Sequence, residues 1–154
     1  MTFTELLASL NERLGLELVE EGGATALEID ETTVVLQDTG DGLLLIYADL
    51  GEIPVDRKEA LAIAALQANF LYQGTGGATL AADSANAHLH LQRYNWLDRL
   101  TAEQAVDALD HFAETATLWK GLLTAPMEIP SSTPDASAAI PADDLSLSGN
   151  FMRM

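Results

Sequence analysis

The stretch "EALAIAALQANFLY", Glu59 to Tyr72, constrains the fold of this chain more than any other. At about 100° per residue, Leu61, Ile63, Leu66, Phe70 and Leu71 point in several directions, and Ala60, Ala62, Ala64, Ala65 and Ala68 fill most of the gaps. Only Gln67 and Asn69 interrupt the apolar surface. A helix that is hydrophobic all round is either buried on both sides or spans a membrane, and this one falls short of the roughly 20 residues a bilayer requires. Two surfaces are therefore expected to cover it.

The flanking pattern supplies one of them. Thr2 and Glu5 form a Thr-x-x-Glu capping box, and Phe3, Leu6, Leu7, Leu10 and Leu14 recur at helical spacing up to Gly15. After "EEGG", Thr25, Leu27 and Ile29 alternate with Ala26 and Glu28, Thr33 to Gln37 is β-branched, and "LLLIYADL" from Leu43 reads as a buried central strand. The short links "DETT" and "DTGDG" predict an antiparallel meander. Asp56 with Glu59 is placed to cap the apolar helix, and "QGTGG" ends it. Two strands, "ATLAA" and "AHLHLQRY", are joined by the turn "DSAN". A second capping box, Thr101 and Gln104, opens a last helix with the stripe Ala105, Val106, Leu109, Phe112, Ala113, Ala116, Trp119 and Leu123.

The order helix-βββ-helix-ββ-helix predicts an α+β layer, with helices packed on an antiparallel sheet. One sheet face can cover one side of the middle helix. The other side needs a second surface, and another copy of the chain is its commonest source, so a homodimer is expected. With 154 residues, 48% of them hydrophobic, one ordinary core can form, which places a single domain at residues 1–123. Residues 124–154 hold four of the five prolines and no helical or strand period, as in a flexible tail. The end of that tail, with Leu145, Leu147, Phe151 and Met152, is more apolar than a linker requires.

Charge and chemistry exclude several functions. The formal net charge of −17 would repel phosphate backbones and anionic lipid surfaces, so neither nucleic acid nor membrane is an expected partner. The absence of cysteine excludes disulfides, thiolate metal sites and a cysteine nucleophile. The opening "MTFTELLASLNERLG" lacks both the basic and the continuously apolar part of a secretory signal, which predicts a cytoplasmic protein. His88 and His90 share a strand face at a chelating spacing, yet no Cys or acidic ligand lies near them in sequence, and His111 stands beside Asp110 as a boundary residue. "GTGG" lacks the Lys-Ser/Thr of a phosphate loop and follows a helix where such a loop would precede one. No enzyme motif, metal site or cofactor site is expected.

The ordered pattern Leu66, Asn69, Phe70, Gly74, Gly77, Leu80, Asp83, Leu89, Leu91, Leu100, Leu109, Phe112 and Trp119 resembles the class I type III secretion chaperones, the Tir-chaperone or CesT-like family. The resemblance runs from Thr2 to about Leu123, and the tail departs from it. It implies a homodimeric, non-enzymatic, ATP-independent binding protein that holds the N-terminal chaperone-binding segment of a secreted effector in extended form. Such a client needs apolar grooves for alternate side chains. The residues expected to line those grooves are Leu7, Leu10, Leu14, Leu16, Leu18, Val34, Leu36 and Leu44. The expected dimer seam is Leu61, Ala64, Ala65, Ala68 and Leu80, with Trp96. A small-ligand-binding or enzymatic α+β domain, with the apolar helix lining a pocket, is the alternative.

Overall fold

The structure, a computed structural model, describes residues 1–125. Helix α1, Phe3–Leu14, opens with both halves of its capping box: Thr2 Oγ1 accepts from the Glu5 N–H, and the Glu5 carboxylate accepts from the Thr2 N–H. Gly15, in the left-handed region at φ 66°, ends it. Strands β1 (Ala24–Ile29), β2 (Thr32–Asp38) and β3 (Leu43–Glu52) follow as the expected antiparallel meander. Helix α2 spans Lys58–Asn69, β4 (Thr79–Asp83) and β5 (His88–Trp96) form a hairpin, and helix α3 is Ala102–Thr124. The second capping box, Thr101 and Gln104, opens α3 as read from the sequence.

All strand pairs are antiparallel, in the order β1-β2-β3-β5-β4, so β5 lies against β3 and leaves β4 at an edge. Alternation along each strand turns one phase of side chains toward the helices. Val34, Leu36, Leu44, Ile46 and Leu91 on that face pack with Phe3, Leu6 and Leu10 of α1 and Leu109, Phe112 and Ala116 of α3 in a single core. Each fully buried large side chain contributes about 1.5–3 kcal/mol relative to exposure.

Three local expectations are corrected. Asp56 does not cap α2: a short 3-10 turn, Val55–Arg57, precedes the helix, whose start has no side-chain cap. The Arg57 guanidinium instead donates to the carbonyls of Leu122, Leu123 and Ala125, closing the far end of α3. The apolar helix stops at Asn69, and Phe70–Tyr72 form a 3-10 turn in which Leu71 and Tyr72 adopt φ of 52° and 55°. Finally, "LLLIYADL" is central but buried on one face only. Leu44, Ile46, Ala48 and Leu50 are buried, whereas Leu43, Leu45 and Tyr47 keep partial exposure. Nearly all of the tail, 126–154, lies outside the described residues.

Candidate functional site

The outer phase of the sheet is unusually apolar for a surface. Register sets Val35 opposite Tyr47, Leu45 opposite Tyr94, and Leu43 opposite Trp96 across three adjacent strands. Paired residues share a face, so these six side chains make one patch. Tyr94 and Trp96 are 54% and 52% exposed, and the other four are partly exposed. An apolar face left uncovered marks an interaction surface.

A second apolar surface surrounds α2. Leu61 and Ala65 are buried toward Leu80 and Leu89, while Ile63, Leu66, Phe70, Leu71 and Tyr72 are exposed. Between α2 and β4 runs a cleft of about 270 Å³ lined by Ile53, Lys58, Leu61, Ala62, Ala65, Leu66, Asn69, Leu80, Ala81, Ala82 and Leu89. Asn69 fixes its geometry: its amide donates to the Leu80 carbonyl at 3.1 Å and accepts from the Leu80 N–H at 2.9 Å, satisfying backbone at the β4 edge. Gly74 passes so close to α2 that a Cβ there would lie 2.7 Å from the Ala68 Cβ, and its carbonyl accepts from Trp119 Nε1 at 3.0 Å. Asn69, Gly74 and Trp119, which the sequence offers only as pattern positions, thus bind α2, β4 and α3 into one frame. Asn11 repeats the device beyond α1, bonding both the carbonyl and the N–H of Leu18.

The Tir chaperone protein (CesT) family matches residues 5–120, which contain this frame and both apolar surfaces. The chain belongs to the CesT family. Among curated proteins no sequence matches it. Solved structures share the fold. A chain of the ExsC–ExsE complex aligns with a TM-score of 0.64 at 24% identity, covering 80% of this chain and 97% of that one. A chain from the complex of the Yersinia pestis type III secretion chaperone SycH with a stable fragment of YscM2 gives 0.62 at 22%, covering 76% and 98%. YbjN from E. coli gives 0.59 at 19%, covering 78% and 89%, so the fold alone does not fix the function.

Within this CesT-family frame the expected groove residues divide. Leu7, Leu10, Val34, Leu36 and Leu44 are at most 4% exposed and lie in the core, which corrects their assignment to a groove. Their strand phase and helix face point at α1, α3 and the inner sheet. Leu14 is 43% exposed, and Leu16 and Leu18 are partly buried against the core. Of the expected seam, Leu61, Ala65 and Leu80 meet at the α2–β4 cleft, and Ala64 and Ala68 are partly buried beside it. Trp96 does not join them: it pairs with Leu43 four residues beyond Gln92, the last β5 residue paired with β4, and belongs to the outer sheet patch. Sequence reasoning missed Val35, Leu43, Leu45, Tyr47 and Tyr94. The signal was there, because a strand apolar in both phases needs two covered faces.

Among the described residues, the titratable groups do not converge on a reaction centre. His88 Nδ1 lies 2.7 Å from Asp49 Oδ2 on the exposed sheet face. Partial burial of Asp49 opposes its ionisation, but the hydrogen bonds from His88 and the Gly51 N–H outweigh it and hold its pKa below the ordinary value. His111 Nδ1 bonds the Asp107 carbonyl of its own helix at 2.7 Å. Among the described residues, no group of three or more His, Asp or Glu side chains is placed to hold a metal ion, and no helix is long and apolar enough to cross a membrane.

Proposed function

We propose that this chain is a cytoplasmic bacterial type III secretion chaperone, without enzymatic activity, that binds the N-terminal segment of a secreted effector and keeps it soluble. The observation that carries the reading is the outer sheet patch of Val35, Leu43, Leu45, Tyr47, Tyr94 and Trp96, attached to a core that is complete without it. Membership of the CesT family and the bound proteins named for the ExsC and SycH complexes support the same role. Side chains of an extended client alternate, so every second residue can seat between the Leu–Tyr and Leu–Trp pairs, while its polar residues face water. Leu14, Leu16 and Leu18 extend the client surface at the end of α1. The exposed side of α2, with Leu61, Ala64, Ala65, Ala68 and Leu80 beneath it, is the proposed homodimer seam. A small-ligand pocket lined by the apolar helix is the weaker reading, because the α2–β4 cleft, at about 270 Å³, is below the ~300–1,000 Å³ usual for such pockets.

The test is affinity capture from the native lysate without added ATP, followed by protease treatment. A co-purifying protein with a protected N-terminal segment of tens of residues is the expected result. Capture of a folded globular partner with no protected segment, or of a small metabolite alone, would refute the reading.

A further inference from the structure

Nothing in residues 1–125 covers the outer sheet patch, yet the described chain ends at its margin. Leu123 Cδ1 lies 4.0 Å from the position of a Cβ on Gly51, and Lys120, one turn earlier in α3, lines a groove with Thr33, Val35, Tyr47, Asp49 and Gly51. Val35 and Tyr47 are the first two members of the patch. Arg57, bonded to the carbonyls of Leu122, Leu123 and Ala125, fixes this exit point. The described chain is therefore held, at Leu122 to Ala125, near the Gly51 end of β3, where this groove lies.

The sequence that follows has no period along its whole length, but near its end it carries a short apolar strip. Leu145, Leu147 and Phe151 are separated by even numbers of residues, with Gly149 between the last two, so an extended chain turns all three to one side and Ser146, Ser148 and Asn150 to the other. Leu145 is 20 residues past Ala125, a length of chain whose upper reach is roughly 66 Å. Strand β3, ten residues long, spans about 33 Å at the usual rise, so the strip can reach the Leu45–Tyr94 and Leu43–Trp96 pairs. The groove's charged lining is one acid, Asp49, and one base, Lys120, so the net negative charge of the chain is not concentrated there. Tethering also gives the strip an effective concentration near millimolar.

We infer that the segment Leu145–Phe151 folds back onto the outer sheet face of its own chain and occupies it until a client displaces it. The inference rests on the reading of this face as a surface for extended chain. Its effect is to shield the apolar patch in the free protein and to make client binding a competition.

Trp96 is the reporter, being 52% exposed on the face, whereas Trp119 is 4% exposed and silent to quenchers. The experiment compares acrylamide quenching of the 154-residue chain with that of its Leu145→Asp/Leu147→Asp/Phe151→Asp variant, with no client present. Circular dichroism confirms that both are folded. Trp96 should be shielded in the parent, at every protein concentration, and should become accessible with a red-shifted emission in the variant. A Ser146→Asp/Ser148→Asp variant adds like charge on the other side of the strip and should keep the shielding. Equal quenching of parent and triple variant overturns the inference, as does loss of shielding in the serine variant. Shielding that disappears on dilution assigns the face to a second copy and overturns it too. Because no client enters this measurement, its failure leaves the lysate capture untouched, and failure of that capture leaves this result standing.

Discussion

Helices α1 and α2 are each twelve residues long, and they use their apolar side chains in opposite ways. α1 is capped at both ends and buries Phe3, Leu6, Leu7 and Leu10 along one face. α2 has no side-chain cap, buries only Leu61 and Ala65, and leaves Ile63 and Leu66 in solvent. It also ends in a turn where two bulky residues, Leu71 and Tyr72, hold positive φ, a conformation costing on the order of 1–2 kcal/mol per residue. A helix that serves its own core sorts its residues by face. α2 instead leaves apolar side chains that the described residues do not cover.

The largest expected effect separates the two directly. Leu10→Ala should destabilise the chain by about 2–5 kcal/mol in urea unfolding, because Leu10 is fully buried and its loss leaves a cavity. Leu66→Ala, at a site 67% exposed, should change the stability of the dissociated chain by no more than about 0.5 kcal/mol. It should instead weaken self-association, read as a fall in mass by light scattering on dilution. Similar losses for both in the dissociated chain would end the distinction.

The two asparagine clamps give a finer comparison. Asn69→Ala leaves the backbone of Leu80, a buried residue of the edge strand, unpaired and should cost about 1–3 kcal/mol. Asn11→Ala frees the backbone of Leu18, which water can reach, so its effect should be the smaller. Caps come next: Thr2→Ala should cost about 1 kcal/mol in chemical denaturation, and Asp56→Ala close to nothing, since Asp56 caps no helix.

The smallest effect lies outside both helices, at Asp49. Its pKa in the fold is lowered, so its contribution is present above the ordinary carboxylate range and lost as pH falls through it. Asp49→Asn should flatten that part of the stability–pH curve slightly, and an unchanged acid limb would show that the His88 contact does not bear on folding.

These contrasts also explain what the sequence made legible. Element order, both capping boxes and the inner stripe of α3 depend on short-range spacing, and each is visible as spacing. The assignment of leucines was not. Leu36 and Leu44 look like Leu43 and Leu45 in composition, and only strand pairing decides which phase faces α1 and α3. The core took Leu36 and Leu44, and the surplus fell to the other phase. Asp56 misled for a similar reason, because a cap depends on where the preceding turn aims the side chain.

The Asn69 clamp has a consequence for how this molecule can fail. An open strand edge accepts another strand, which offers its own edge in turn, so recruitment there has no natural end. A sheet face, by contrast, is saturated once it is filled. By occupying the backbone of Leu80 at the β4 edge, Asn69 closes part of the open-ended route and leaves the saturable one free. The chain can then carry an apolar face without seeding a fibre along that margin.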